Sequence, residues 1–347
     1  MRFKPNVRLF LRIANVFLEK KLETANDFLE DTLQIANIFL QESDNQKYFY
    51  ITQFMQKPIC VIFDNDNNLY ITTDGVYKDL LTNTIYDLSN NSGIYLTGIL
   101  PKREVSLWGN TNSLILPVAM RFNKDYTQMY VVEFGKNEIA IVDVKDGSII
   151  KSLNNNDGLI YNSKNINFLN GPLQLPNGGA IDANFEYLYI TNTKPPYNNV
   201  ISINLKSYEV VHICDIITPI LICNYPKDNS FYVTSVKQNT IYRIDNMQKK
   251  TPYIVDGYIV GPRGITFSID LTKLYITNYN PNQKNKLPQD YISVYDVTNI
   301  KTPIFLYNIT GSYLNQPRGL CFNERDPNTL IISNFGDRTI YGYKLTV

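Results

Sequence analysis

A proline opening a short apolar run, a polar turn, and then an apolar-Tyr-apolar-Thr-Asn strand recur six times in this chain. The clearest copy is Gly261-Pro262-Arg263-Gly264-Ile265-Thr266-Phe267 followed by Leu274-Tyr275-Ile276-Thr277-Asn278. The others open at Pro58, Pro117, Pro176, Pro219 and Pro317. From the proline to the tyrosine (Ile331 in the last copy) the spacing is 12, 13, 13, 13, 13 and 14 residues. A short antiparallel unit of this kind cannot cover its own faces, so neighbouring copies must stack on one another. Radial stacking of small antiparallel sheets is the β-propeller solution.

Each repeat divides into four strands. In the copy that opens at Pro219 they are Ile220–Cys223, Phe231–Thr234, Thr240–Ile244 and Pro252–Val255, separated by Asn-, Asp-, Lys- and Pro-rich turns. By the same pattern Thr84-Ile85-Tyr86 is expected as the third strand of the first repeat. The sixth repeat has three strands before Val347, and Lys47–Thr52 resembles the fourth strand of the fifth repeat, Pro303–Tyr307. Together the two ends match the 43-residue length of the uninterrupted repeats, Pro176 to Pro219 and Pro219 to Pro262. The fold expected over residues 45–347 is therefore all-β: a six-bladed propeller closed by an amino-terminal strand, which removes an open sheet edge.

Residues 1–44 follow a different period. Leu11, Ala14, Leu18, Leu22, Ala25, Leu29, Leu33, Ala36 and Leu40 form a stripe that repeats every 11 residues, accompanied by Phe17, Phe28 and Phe39. Eleven residues over three turns keep the stripe on one face of a helix. A helix over 6–42 would be about 55 Å long. Its apolar face needs cover, and self-association as a coiled coil or bundle is the expected cover. Docking on the chain's own globular part, or on a partner or membrane surface, are the alternatives. Glu19, Glu23, Glu30 and Asp31 weigh against the membrane.

Composition narrows the function. The 33 Lys and Arg balance 32 Asp and Glu, which argues against nucleic-acid binding. No apolar run reaches the length of a membrane span. Cys60, Cys214, Cys223 and Cys321 sit in strand-like runs without metal spacing, as small buried hydrophobes of a reducing compartment would. The expected location is therefore intracellular, cytoplasmic. The Asn, Ile, Tyr and Lys bias fits an AT-rich genome such as that of a giant virus or protist, and a virion-associated protein if viral. His212 is the only histidine, so histidine-based triads and His-rich metal sites are excluded.

Tyr130-Val131-Val132-Glu133 with Ile139-Ala140-Ile141-Val142-Asp143, and Pro262–Phe267 with Tyr275–Asn278, resemble the YVTN and NHL families of β-propellers over about residues 45–347. These families include binding platforms, enzymes and structural parts, so the resemblance implies fold more than function. The second strands end at Thr73, Glu133, Asn192, Ser235, Asn278 and Asn334. Similarity to gluconolactonase-type propellers implies that Glu133, Asn192 and Asn278 could hold Ca²⁺, with Asp74 as a second carboxylate. The alternative is that these residues only cap strands and start turns; no cofactor is then expected.

The leading functional expectation is a non-enzymatic binding and assembly scaffold, oligomerised through residues 6–42. The alternative is a metal-dependent lactonase or lyase. The long connections, Pro101–Leu116, Leu153–Leu175, Thr193–Asn198 and Tyr279–Asp290, should share one face, where a protein partner or small anionic ligand would bind. The ligand-binding residues expected there are Arg263 and Arg318, at equivalent positions in adjacent repeats, with Asn278, Asn334, Trp108 and Tyr279. Two guanidiniums would take a carboxylate or other anion, unless each pairs with an acid such as Glu133 or Asp337.

Overall fold

The computed structural model describes residues 48–53, 57–73, 76–78, 85–87, 93–97, 105–109, 111–164, 166–282 and 287–345. The helix expected over 6–42, and Asp74, lie outside the described residues. The chain divides into two compact units, Met1–Tyr50 and Ile51–Val347. Among the described residues of the second unit, the secondary structure is all-β apart from two short 3-10 turns, Thr111–Ser113 and Ile166–Phe168.

The second unit is a β-propeller. Strand β1 (Tyr48–Gln53) precedes the first blade, which is built from β2 (Pro58–Phe63), β3 (Leu69–Thr73), β6 (Gly93–Thr97) and β7 (Val105–Leu107). Between β3 and β6 a two-stranded hairpin is inserted, β4 (Val76–Lys78) with β5 (Ile85–Asp87). This corrects the expectation for the first repeat. Ile85 and Tyr86 pair within the hairpin, Gly93–Thr97 takes the third place, and the connection read as Pro101–Leu116 contains the fourth strand. Both candidate third strands carry the same apolar-Tyr pattern, and only pairing with β3 separates them.

The next blade is β8 (Pro117–Phe122), β9 (Gln128–Glu133), β10 (Glu138–Asp143) and β11 (Ile149–Asn154). It is followed by β12 (Pro176–Ile181), β13 (Tyr187–Asn192), β14 (Asn199–Asn204) and β15 (Val210–Asp215). Then come β16 (Pro219–Tyr225), β17 (Ser230–Ser235), β18 (Thr240–Ile244) and β19 (Lys250–Ile254). The blade after that is β20 (Pro262–Phe267), β21 (Lys273–Tyr279), β22 (Asp290–Asp296) and β23 (Ile304–Ile309). These five blades each come from one continuous stretch. A further four-stranded sheet has the order β1-β26-β25-β24, from β24 (Pro317–Asn323), β25 (Asp326–Asn334), β26 (Thr339–Lys344) and β1, whose Ile51–Gln53 belong to the propeller unit.

The repeat's recurring positions hold neighbouring sheets together. The tyrosine of one second strand packs edge-on against the phenylalanine of the next first strand: Tyr70 on Phe122, Tyr232 on Phe267 and Tyr275 on Phe322, with centroids 5.4, 5.2 and 5.2 Å apart. Each such pair contributes about 0.5–1.5 kcal/mol beyond area burial. In four of the sheets the threonine or serine before the second-strand end acts as a hydrogen-bonded pin. Its hydroxyl accepts from the amide two residues after the opening proline and donates to a carbonyl of the next sheet. Thr191 donates to Ile220 (2.6 Å), Thr234 to Arg263 (2.9 Å), Thr277 to Arg318 (3.3 Å) and Ser333 to Ile59 (2.9 Å). The accepted amides are those of Gly178, Leu221, Gly264 and Gly319. These amides lie where the first-to-second strand register shifts by a bulge.

Candidate functional site

The opening proline is also where the candidate site begins. Leu116, Leu175, Thr218, Gly261 and Gln316, each immediately before such a proline, have φ of 50, 50, 49, 58 and 50°. Four of these are not glycine, and the left-handed region is costly for them. Hydrogen bonds hold them there: the amides of Phe134, Thr193, Val236, Tyr279 and Phe335 donate to their carbonyls. Asn137 and Asn239 accept from the amides of Leu175 and Gly261 (2.7 and 2.8 Å). The residue after the proline is thereby aimed into the axial channel.

A cavity of about 340 Å³ occupies that end of the channel. It is lined by the residue after each opening proline, namely Ile59, Val118, Asn177, Ile220, Arg263 and Arg318, with Leu116, Phe134, Leu221 and Phe335 around them. Arg263 and Arg318 come from adjacent blades, as the sequence implied. The other four positions were not singled out, although counting from the same proline finds them.

The two guanidiniums are held by aromatic rings. Arg318 lies over Phe335, 3.5 Å from the centroid, and Arg263 over Tyr279 at 5.2 Å. Arg263 makes no ion pair among the described residues, and its buried Nε has no hydrogen-bond partner. Burial holds its pKa below the usual guanidinium value, opposed by Tyr279 and Asp290. The Asp290 carboxyl is pushed up by burial, against the effect of the Gln316 amide and Arg263. Of the acids weighed as partners for these arginines, Glu133 pairs with Lys136 at 3.2 Å, and Asp337 accepts from the Thr339 hydroxyl at 2.6 Å.

The second-strand ends do not converge on the cavity. Glu133, Asn192, Ser235, Asn278 and Asn334 are fully buried, and each ties down the loop that enters its own blade. Glu133 Oε2 accepts from the Ile115 amide (2.7 Å), Asn192 Oδ1 from Gln174 (2.9 Å) and Asn278 Oδ1 from Val260 (3.0 Å). Asn334 donates to the Tyr313 carbonyl (2.7 Å) and Ser235 to that of Ile217 (2.6 Å). The trio Glu133, Asn192 and Asn278 thus sits in three separate blades, with Glu133 Oε2 and the two Asn Oδ1 atoms directed at loop amides and the buried Glu133 Oε1 without a hydrogen-bond partner. Among the described residues no three His, Cys, Asp or Glu side chains gather as a metal site. Trp108, expected on the binding face, is 8% exposed and packs edge-on against Tyr70 in the core of the first blade.

The opposite end of the channel holds a second cavity of about 440 Å³ with Arg121, Cys60, Cys223, Cys321 and Thr266 in its wall. Arg121 donates to the carbonyls of Met120 (2.6 Å) and Ile222 (3.4 Å), reaching across to a blade that is not its neighbour. All four cysteines are free, and burial pushes the Cys223 thiol up to about 12. His212 is on β15, a fourth strand, beside Asp215 at 2.8 Å. No helix of the described residues is long and apolar enough to cross a membrane.

No protein-family model matches this chain, and no sequence among curated proteins does. Solved structures are similar in fold. A protein of unknown function from Bacteroides thetaiotaomicron is 13% identical, with TM-score 0.61, over 86% of this chain and 75% of that one. Virginiamycin B lyase from Staphylococcus aureus is 15% identical, with TM-score 0.54, over 86% of this chain and 99% of that one. A putative 6-phosphogluconolactonase from Bacteroides uniformis is 12% identical, with TM-score 0.53, over 79% and 77%. At these identities the similarity establishes one thing about the chain: it has a β-propeller fold.

Proposed function

We propose that the protein is a non-enzymatic binding module whose site is the channel mouth, and that an anionic group of a ligand or partner enters there. The observation that carries this reading is Arg263, a half-buried arginine in the cavity wall whose buried Nε has no hydrogen-bond partner and which makes no ion pair among the described residues. A charge held in a poorly solvated site gains from an anion more than an exposed one does. Two guanidiniums held over aromatic rings in adjacent blades suit an anion with two oxygens to offer.

The ring belongs to the same proposal. The first strands β2, β8, β12, β16, β20 and β24 contact one another in cyclic order, which supports six blades with β1 as the outer strand of the last. Deleting residues 45–53 should then expose the edge of β26 and cause aggregation, seen by light scattering. A soluble monomer with unchanged melting would count against closure.

A lyase or lactonase reading has the fold neighbours behind it. One of them is a lyase from Staphylococcus aureus made catalytically inactive by replacing a histidine with alanine. Here the sole histidine, His212, is on an outer strand and does not line the channel mouth. This favours binding over a histidine-dependent lyase activity.

The test is thermal stabilisation of the full chain by acetate, benzoate and inorganic phosphate. At least one should raise the melting temperature of the wild type and leave R263E/R318E unaffected, with the variant still folded. Substitutions at Asp66 or Lys249, in the short turns, should leave the stabilisation intact. Stabilisation that survives the double charge reversal, or none at all in the wild type, overturns the proposal.

A further inference from the structure

The mouth is not uniformly basic. The residues that follow the opening prolines, taken in ring order, are Ile59, Val118, Asn177, Ile220, Arg263 and Arg318. The two arginines are neighbours, flanked by Ile220 on one side and Ile59 on the other. Across the channel stand Val118 and Asn177. Phe134 and Leu116 extend the apolar wall beside Val118. One half of the mouth thus presents cationic donors, and the other presents hydrocarbon with a single amide.

A bare inorganic anion would use only half of this wall. It would leave the apolar half in contact with water, and its own charge would lose solvation against hydrocarbon. A neutral apolar ligand would leave the buried Arg263 Nε without an acceptor. A group that is anionic at one end and apolar along its body satisfies both halves.

The cavity's proportions agree, since 340 Å³ is within the range of small-ligand pockets and well above what a simple oxyanion fills. The stacking of Arg318 on Phe335 leaves the guanidinium's in-plane edge as its hydrogen-bonding direction. That edge offers paired N–H donors to the two oxygens of a carboxylate, and the apolar half of the wall suits the hydrocarbon a carboxylate can carry.

Resting on the channel-mouth reading, we infer that the mouth recognises a carboxylate borne on a short apolar chain. That chemistry is shared by a free aliphatic acid and by the carboxy-terminal residue of a polypeptide with an apolar side chain. The oxygens would meet Arg263 and Arg318, and the hydrocarbon would lie on Ile59, Val118 and Ile220.

The experiment is a calorimetric titration of the full chain with acetate, butanoate and hexanoate, and separately with hexanamide, N-acetyl-leucine and inorganic phosphate. Each added methylene buried on the apolar wall should tighten binding about fourfold. Hexanamide, without the charge, should bind at least about tenfold more weakly than hexanoate. Val118→Asn and Ile220→Asn, which remove hydrocarbon without adding charge, should flatten the chain-length series while keeping acetate binding measurable relative to R263E/R318E, with circular dichroism confirming the fold.

If acetate and phosphate bind but chain length has no effect, the inference is overturned while the anion site stands. If no anion binds, both fall together. N-acetyl-leucine binding more tightly than hexanoate assigns the site to a polypeptide terminus, and the reverse order assigns it to a free acid. Either order supports the inference, provided the hexanoate series shows its slope.

Discussion

The blade β8–β11 and the blade β20–β23 solve the same problem in different ways. In the second, Thr277 and Asn278 end the inner hairpin. The Thr277 hydroxyl accepts from Gly264 and donates to Arg318 of the next sheet, while Asn278 holds the entering loop. In the blade β8–β11 the corresponding pair is Val132 and Glu133. Val132 has no hydroxyl, and the register there shifts one residue earlier, between Pro117 and Ala119, so that Ala119 pairs directly with Val132. Its methyl groups instead face Gly179 of the next blade, about 3.0 Å from where a Cβ would stand. Where two first-strand residues stand opposite one, as Arg263 and Gly264 do opposite Thr277, the second amide is left free and the hydroxyl satisfies it. Where the hydroxyl is missing, the bulge contracts.

The largest effect expected from this comparison is at Gly264. A Cβ there would stand 1.9 Å from the Arg318 carbonyl oxygen and 2.9 Å from Thr277 Oγ1. Gly264→Ala should cost about 3 kcal/mol in chemical denaturation, because the obstruction is backbone of the neighbouring sheet. Ala119 shows that a methyl group fits at this place when the bulge is short. Equal stability of Gly264→Ala and wild type would break the account. Thr277→Val is the next largest, at about 2 kcal/mol, since it leaves the buried Gly264 amide without its acceptor. If Thr277→Val were neutral, the hydroxyl would be incidental to the blade junction.

The repeat was legible because its spacing is held by these pins and by the Tyr–Phe contacts between blades. Proline, aromatic and threonine positions all report the same backbone geometry, so strand order could be read without knowing any contact. The first blade was misread where a hairpin with the same local pattern is inserted, since pattern alone does not choose between two strands that both suit β3. The arginine pair was found by counting from the prolines, because residues at one repeat position occupy one level of the channel. Trp108 and the second-strand asparagines were not separable that way. Whether a polar side chain turns toward a channel or toward the loop above it depends on a hydrogen bond to a residue about 18 positions earlier, as with Asn192 and Gln174. Nothing in the local sequence marks that bond.

Glu133 carries the smallest predicted effect and the one that most sharpens the contrast between the two blades. It is the one carboxylate among ring positions otherwise occupied by Thr, Asn and Ser, and it is fully buried. Burial raises its pKa above 4.5, opposed by the Ile115 amide and Lys136, while Glu138 adds to the rise. The folded protein therefore holds this proton more tightly than the unfolded chain. Ionising Glu133 disfavours folding, so its contribution to stability falls as pH rises from the ordinary carboxylate value through the folded one. Glu133→Gln removes that titration and keeps an oxygen for the Ile115 amide, and Lys136 still donates to the Ser113 carbonyl at 2.8 Å. Relative to the variant, the wild type should lose stability across that window with a slope of at most about 1.4 kcal/mol per pH unit. The slope is the readout, since the new amide group has a hydrogen-bonding cost of its own that does not vary with pH. Denaturation curves at intervals from pH 4 to pH 8 check it. A flat difference between the two proteins, or wild-type stability rising relative to Glu133→Gln, would mean that the loop amide and Lys136 outweigh burial at this position.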